Sequence, residues 1–288
     1  MAPAASEAAA REIEAALGRK VARLAPLGGG CIAEVYRVGL ADGTALVAKR
    51  GAAGGGLELE AYMLRYLAAH SALPLPAVRH SSPRLLVMDY IEAGDALDEA
   101  AQGHAGELLA ALHAVRGEAF GHERDTLIGG LPQPNPWTSS WLVFFRDHRL
   151  LHMARAALAA GRIAPALMAR LERFAARLGE FIEEPAHPSL IHGDLWAGNI
   201  LARRGRVVGL IDPAIYHADP EIELAFATLF DSLGSAFFRR YGALRPLRPG
   251  FFEARRDIYN LYPLLVHARL FGGHYAAAVE RILARFGG

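Results

Sequence analysis

In the stretch LIHGDLWAGNIL, Leu190 to Leu201, an aspartate and an asparagine stand five positions apart between two apolar ends. A carboxylate beside a histidine, a glycine and a tryptophan suits neither a core strand nor a solvated loop, so the stretch reads as a site. A second carboxylate, Asp212, follows across ILARRGRVVGLID, which has the length of a strand, a turn and a strand. Phosphoryl transfer needs this spacing. One carboxylate accepts the proton of the attacking hydroxyl, and two oxygen ligands from separate strand ends hold Mg²⁺ against the phosphates. Asp194 is the candidate base, and Asn199 and Asp212 are the candidate metal ligands. His192 is read as structural, bonding backbone to keep the loop shape, because a second proton acceptor beside Asp194 would be redundant.

The order H-x-D-x-x-x-x-N followed by a further aspartate is that of a kinase catalytic loop, so the nucleotide side is sought upstream. In PLGGGCIAE, Gly28, Gly29 and Gly30 open a G-x-G-x-x-A pattern ending at Ala33. A dinucleotide fingerprint must open a helix; here a β-alternating run follows instead. The glycines fit a flap whose N–H groups approach phosphates, with a plain glycine turn as the competing reading. Lys49, in VAK, is a phosphate lysine if a carboxylate holds it. The next helix offers Glu58 and Glu60, and Glu60 is chosen because it lies just before the apolar face of Met63, Leu64 and Leu67. LLVMDYI reads as a nucleotide hinge, with Met88 behind the base and the backbone of Asp89 and Ile91 placed to read adenine edges. An ordinary buried strand is its competitor.

These residues need a small sheet and a larger body to carry them. CIAEVYRVGL alternates as a strand, Asp42 and Gly43 supply a hairpin turn, TALVAKR returns, and LELEAYMLRYLAAH has helical spacing. From about Leu97 onward the chain reads mainly as helix. The expected fold is α+β and protein-kinase-like: an antiparallel-sheet nucleotide lobe over residues 1–92 and a mainly helical lobe over 93–288 carrying the catalytic loop and the acceptor pocket. With 288 residues and 52% hydrophobic composition, the chain has enough apolar material for two such lobes.

A net charge of +1 with no long basic run argues against nucleic acid or anionic membrane as a partner. The prolines at 132, 134 and 136 rule out the longest uncharged span as a membrane helix. The N-terminus lacks a signal-peptide pattern, and a single cysteine excludes an internal disulfide and a thiolate zinc cluster. A reducing cytoplasm is the expected location. Cys31 follows Gly30 in the flap, where backbone amides and Lys49 would favour a thiolate. Oxidation to a glutathione adduct or a Cys31-linked dimer is therefore expected to inhibit reversibly, against the plainer reading of a small packed hydrophobe.

Protein kinases place an arginine before the base to bind a phosphorylated loop; here Gly193 stands there. After Asp212 the chain soon starts a helix at Pro220, Glu221 and Glu223, which leaves too little chain to cradle a peptide and points to a small-molecule acceptor. At this point GGGCIAEVYRV, HGDLWAGNI, IDPAIYHADPEIELA, GGLPQPNPWTSSWLVFFRDHRL and LYPLLVHARLFGGHY resemble the fructosamine (ketosamine) kinases of the aminoglycoside-phosphotransferase and protein-kinase-like group, over almost the whole chain. The tryptophan of HGDLW is the distinguishing feature. The resemblance implies ATP and Mg²⁺ as cofactors, Asp194 as proton acceptor, Asn199 and Asp212 as magnesium ligands, Lys49 as phosphate lysine and Trp196 as a wall of the sugar pocket. It implies phosphorylation of the 3-hydroxyl of a free or protein-bound ketosamine, which labilises the adduct and starts deglycation. Trp137, Trp141, Arg146, Tyr216 and His217 are further candidates for the pocket, with a core role as their alternative.

Two rivals stand beside this reading. An aminoglycoside or choline kinase would want an acidic lining from the last helices, where Arg245, Arg248, Arg255, Arg256, Arg269, Arg281 and Arg285 outnumber Glu253, Asp257 and Glu280. A nucleotide-binding pseudokinase regulator would not need the full chemical set that is present.

Overall fold

The computed structural model describes residues 3–28 and 33–287. A first helix, α1 (Pro3–Leu17), precedes β1 (Val21–Pro26), β2 (Glu34–Leu40) and β3 (Ala45–Arg50); α2 (Leu57–His70), β4 (Val78–Ser81) and β5 (Leu85–Asp89) follow. The strands form one antiparallel sheet in the order β1-β2-β3-β5-β4.

Strand alternation sorts β3 into two faces. Leu46 and Ala48 pack with Tyr36, Val38 and Val87 under Ala9 and Ile13 of α1. Val47 points the other way, toward Leu57, Ala61 and Leu64 of α2 and toward Met88. Lys49, two residues on, therefore shares the face of Val47. The helix α2 opens after Gly56, with Glu58 and Glu60 in its first turn, where carboxylates favour the positive helix end. It closes at Ser71, whose hydroxyl donates to the Leu67 carbonyl at 2.7 Å. Met63 and Leu67 on the same helix belong to the large core of the second lobe, so α2 is shared between the lobes.

The second lobe begins with α3 (Glu99–Leu112), capped by Asp98, whose carboxylate accepts from the Ala101 amide at 2.8 Å. A short hairpin, β6 (Thr126–Ile128) and β7 (Leu131–Gln133), is followed by α4 (Trp141–Phe145), a π-helical turn over Arg146–Leu150, α5 (Leu151–Ala159) and α6 (Pro165–Ala175). Next come β8 (Ser189–Ile191), β9 (Ile200–Arg203), β10 (Arg206–Leu210) and β11 (Tyr216–Ala218), then α7 (Glu221–Phe226), α8 (Ser235–Leu244), α9 (Arg256–Phe271) and α10 (Tyr275–Arg285). Through α9, Ile258, Leu261 and Leu265 enter the core. This is a two-lobed, protein-kinase-like α+β fold.

The apolar ends of LIHGDLWAGNIL are strands: β8 pairs with β11, and β9 pairs with β10. The sequence reading missed β1 and β4, the two edges of the sheet, whose residues stay partly exposed and so carry no clean alternation. From about Leu97 onward it read mainly helix, whereas residues 113–140 are largely irregular apart from β6 and β7. Buried side chains stand in for the missing ladder there. Gln133 Nε2 donates to the Ala214 carbonyl at 3.0 Å and to Thr126 Oγ1 at 2.8 Å. Asn135 Nδ2 donates to Thr126 Oγ1 at 2.8 Å, and Arg149 donates to the Pro134 carbonyl at 2.7 Å. The proline-rich QPN segment thus holds the loop after Asp212, and the Tyr262 hydroxyl, donating to Gln133 Oε1 at 2.7 Å, ties it to α9.

Candidate active site

A cleft of about 720 Å³ lies between the sheet and the helical lobe, and Lys49, Glu60, Asp194, Asn199 and Asp212 all line it. Lys49 Nζ stands 2.7 Å from Glu60 Oε1 and also bonds the carboxylate of Asp212. Burial opposes the lysine's charge, but Glu60 and Asp212 outweigh it and raise its pKa. Glu60, chosen from the sequence over Glu58, is the partner; Glu58 is exposed.

The catalytic loop hangs from one buried carboxylate that the sequence reading treated only as a helix-start signal. Glu223, on α7, accepts from the backbone amides of His192 at 3.1 Å and Gly193 at 2.6 Å, while His113 Nε2 lies 2.9 Å away. His113 Nδ1 in turn meets the Tyr241 hydroxyl at 2.8 Å. Burial would raise the Glu223 pKa, yet these partners lower it, so the group stays charged. Its sequence separation from the loop hid it: no local pattern links an acid on α7 to amides before the base. Gly193 has φ 86°, and a Cβ there would stand 2.0 Å from the Ala214 carbonyl oxygen, so no arginine fits where protein kinases carry one. His192 is buried, and its Nδ1 lies 3.4 Å from the Asp194 amide, the backbone role expected for it.

Asn199 Nδ2 donates to the Asp194 carbonyl at 2.8 Å and to Asp194 Oδ2 at 2.9 Å. Burial is the main force on Asp194 and pushes its pKa up to about 7, against the Asn199 bond that lowers it. A carboxylate so placed is strongly basic for its type, which suits proton abstraction at neutral pH. With its amide nitrogen committed to Asp194, Asn199 is left with Oδ1 as its free ligand atom. Asp212 adds a half-exposed carboxylate on a left-handed backbone, φ 54°. Two hard oxygens from separate strands fit Mg²⁺, which completes its shell with phosphate and water. Among the described residues no cluster of three His, Cys, Asp or Glu offers a self-contained metal site.

Met88, buried in β5 opposite Val47, Asp89 and Ile91 also line the cleft. The Asp89 amide is consumed by the Ala77 carbonyl at 3.0 Å, so Asp89 can offer a ligand only its own carbonyl. The Ile91 amide has no backbone partner among the described residues. Gly28 lines the cleft; Gly29, Gly30 and Cys31 lie outside the described residues.

Trp196 is 39% exposed and lines the cleft, its ring covering Gly198, where a Cβ would meet the indole at 2.3 Å. Tyr216 also lines the cleft, backed by the Arg149 guanidinium 3.8 Å from its ring centroid. His217, expected in the substrate pocket, stands apart from the cleft lining. Alternation along β11 sends it away from Tyr216 and into a cluster with His122 and Trp137, at ring-centroid distances of 6.1 and 6.0 Å, outside the cleft lining. Trp137 stands in that cluster, Trp141 is core and donates to the Tyr259 hydroxyl at 2.8 Å, and Arg146 pairs with Asp147 at 2.7 Å. Arg248 and Arg255, counted above as lining, instead neutralise the buried Asp219 and Glu221. The cleft also has a lining from α9 that the sequence reading left without a role: Tyr262, Pro263, Val266, His267, Leu270 and Phe271.

The fructosamine kinase family model matches residues 5–286. A probable ketoamine kinase of Synechocystis sp. is 38% identical over 234 residues, covering 78% of this chain and 77% of the relative. The chloroplastic protein-ribulosamine 3-kinase of Oryza sativa subsp. indica is 32% identical over 276 residues, 92% of this chain and 78% of the relative. The crystal structure of a candidate fructosamine-3-kinase from Thermobifida fusca superposes with a TM-score of 0.86 at 33% identity, covering 96% of this chain and 98% of the other.

Proposed function

This chain belongs to the fructosamine kinase family and is a ketosamine kinase, and we propose how its residues divide the work. The 3-hydroxyl of the ketosamine gives its proton to Asp194 as its oxygen bonds the γ-phosphorus of ATP, and the bond from that phosphorus to the β-phosphate oxygen breaks to release ADP. The observation that carries this division is the convergence on one cleft of a buried carboxylate oriented by Asn199 and a lysine held by Glu60 and Asp212.

Lys49 binds and orients phosphate oxygens. Asn199 Oδ1 and the Asp212 carboxylate would hold Mg²⁺, which supplies charge neutralisation on the phosphates when bound. Trp196 stands two residues after the base, where protein kinases carry a lysine, and so the charge on the transferred group falls to Lys49 and the metal ligands. Met88 packs behind the nucleotide base, whose edges meet the Asp89 carbonyl and the Ile91 amide. Trp196 walls the sugar. No helix among the described residues is long and apolar enough to cross a membrane, and the single cysteine suits a reducing compartment such as the cytoplasm.

The test is ADP release, read by a coupled assay, with free ribulosamine, free fructosamine, a glycated protein, choline and an aminoglycoside. Turnover confined to the ketosamines is expected. Turnover of choline or the aminoglycoside alone would overturn the substrate assignment, and nucleotide binding without ADP release from any acceptor would overturn the enzyme.

A further inference from the structure

The acceptor end of the cleft has a chemistry of its own. Three of the large hydrophobic side chains that stay open to solvent gather there: Phe271 at 54% exposure, Phe230 at 44% and Trp196 at 39%. Trp196 and Phe271 line the cleft directly, and the Phe230 ring lies tilted with its centroid 4.8 Å from that of His267, which also lines it. Exposed aromatics grouped at a cleft mouth are a signal in a way that scattered ones are not. His267 lies beside Phe230 and Phe271, with ring centroids of Tyr275 at 5.1 Å and Phe271 at 5.7 Å. Its Nδ1 lies 2.8 Å from the Pro263 carbonyl, which can only accept, so Nδ1 carries the proton. Burial keeps the ring neutral by lowering its pKa. Leu270 extends the apolar rim over the β6–β7 turn, where a Cβ on Gly129 would come within 2.8 Å of it.

Among the described residues, each of the five carboxylates that line the cleft already has a partner. Glu60 and Asp212 are taken by Lys49, Asp89 by Arg79, Asp194 by Asn199, and Glu223 by His113 and two amides. Primary ammonium groups are strongly hydrated and lose that hydration against an apolar wall.

Resting on the ketosamine-kinase reading, we propose that this end is the subsite for the amine's substituent and that it selects ketosamines built on apolar or aromatic amines. The sugar lies toward Trp196 and Asp194. The linking amine lies between the sugar and these rings, and the substituent packs along His267, Phe230 and Phe271.

The experiment holds the sugar fixed and varies the amine: ribulosamine adducts of benzylamine, butylamine, glycine and putrescine. Binding is followed by tryptophan fluorescence and calorimetry, and turnover by ADP release. The benzylamine adduct should bind about tenfold more tightly than the putrescine and glycine adducts, with butylamine between them. Phe271→Ser, at an exposed position, should keep the wild-type unfolding midpoint, bring the preference to within about threefold, and leave the Kd for ATP within about twofold. Equal affinities for all adducts, a preference for the charged ones, or an equal loss on every adduct in Phe271→Ser would overturn the proposal. If no adduct is phosphorylated, the kinase assignment fails instead, and the rank order of binding still decides this one.

Discussion

The two ends of the cleft solve opposite problems. At the catalytic loop the charged groups are tied down: Glu223 holds two amides and a histidine, Asn199 holds Asp194, and Lys49 holds two carboxylates. At the acceptor end the walls are aromatic and partly open. The difference teaches where rigidity is needed. Moving a proton and a phosphoryl group demands atoms placed to a fraction of an ångström, which buried charge-assisted hydrogen bonds provide. Holding one amine rather than another, the role proposed for the aromatic end, would demand only surface, which apolar side chains provide at the cost of weak direction.

The comparison breaks most visibly at the base. Asp194→Asn should lower turnover by about 10²–10⁴ while nucleotide affinity changes by no more than a few-fold, because only proton transfer is lost. Steady-state kinetics beside nucleotide titration measures both, and near-normal turnover would remove Asp194 from its role.

Next comes the lysine. Lys49→Ala should cost about 10²-fold in kcat/KM for ATP, and Glu60→Ala about tenfold, since the glutamate only orients the lysine. The double variant should be no worse than Lys49→Ala; additive losses would show that the two do not act as a unit.

Glu223 sharpens the contrast through stability. Glu223→Gln keeps the shape but removes the charge that two amides and His113 address, and urea unfolding at pH 7 should show a loss of about 1.5–3 kcal/mol. Because the pKa of Glu223 is depressed below its ordinary 4.5, its contribution is complete above that pH and is lost as pH falls through the folded-state value. The gap between wild type and variant should therefore hold from pH 7 to 5 and narrow below about pH 4.5. A gap independent of pH would mean the carboxylate is not charged in the fold.

The smallest effect belongs to the wall. Trp196→Ala should raise KM for the sugar substrate about tenfold and leave KM for ATP within about twofold. Equal changes in both would make the indole a brace for Gly198 rather than a contact for substrate.

Much of the site was legible without coordinates because its parts are local. The D-x-x-x-x-N spacing, the hairpin from Ile200 to Leu210 that delivers Asp212, and the helical period that brings Glu60 toward Lys49 all depend on neighbours in the chain, and local geometry is what residue spacing encodes. The two-lobed architecture followed from the same patterns. Tertiary structure alone decided the rest. Strand pairing chose which side of β11 faces the cleft, admitting Tyr216 and turning His217 away. Edge strands β1 and β4 were invisible because half-exposed residues carry no period. Glu223 reaches the catalytic loop from α7, and α9 brings His267 and Phe271 to the acceptor end, only because distant segments share one core. A pairing set by packing leaves no spacing in the chain to read.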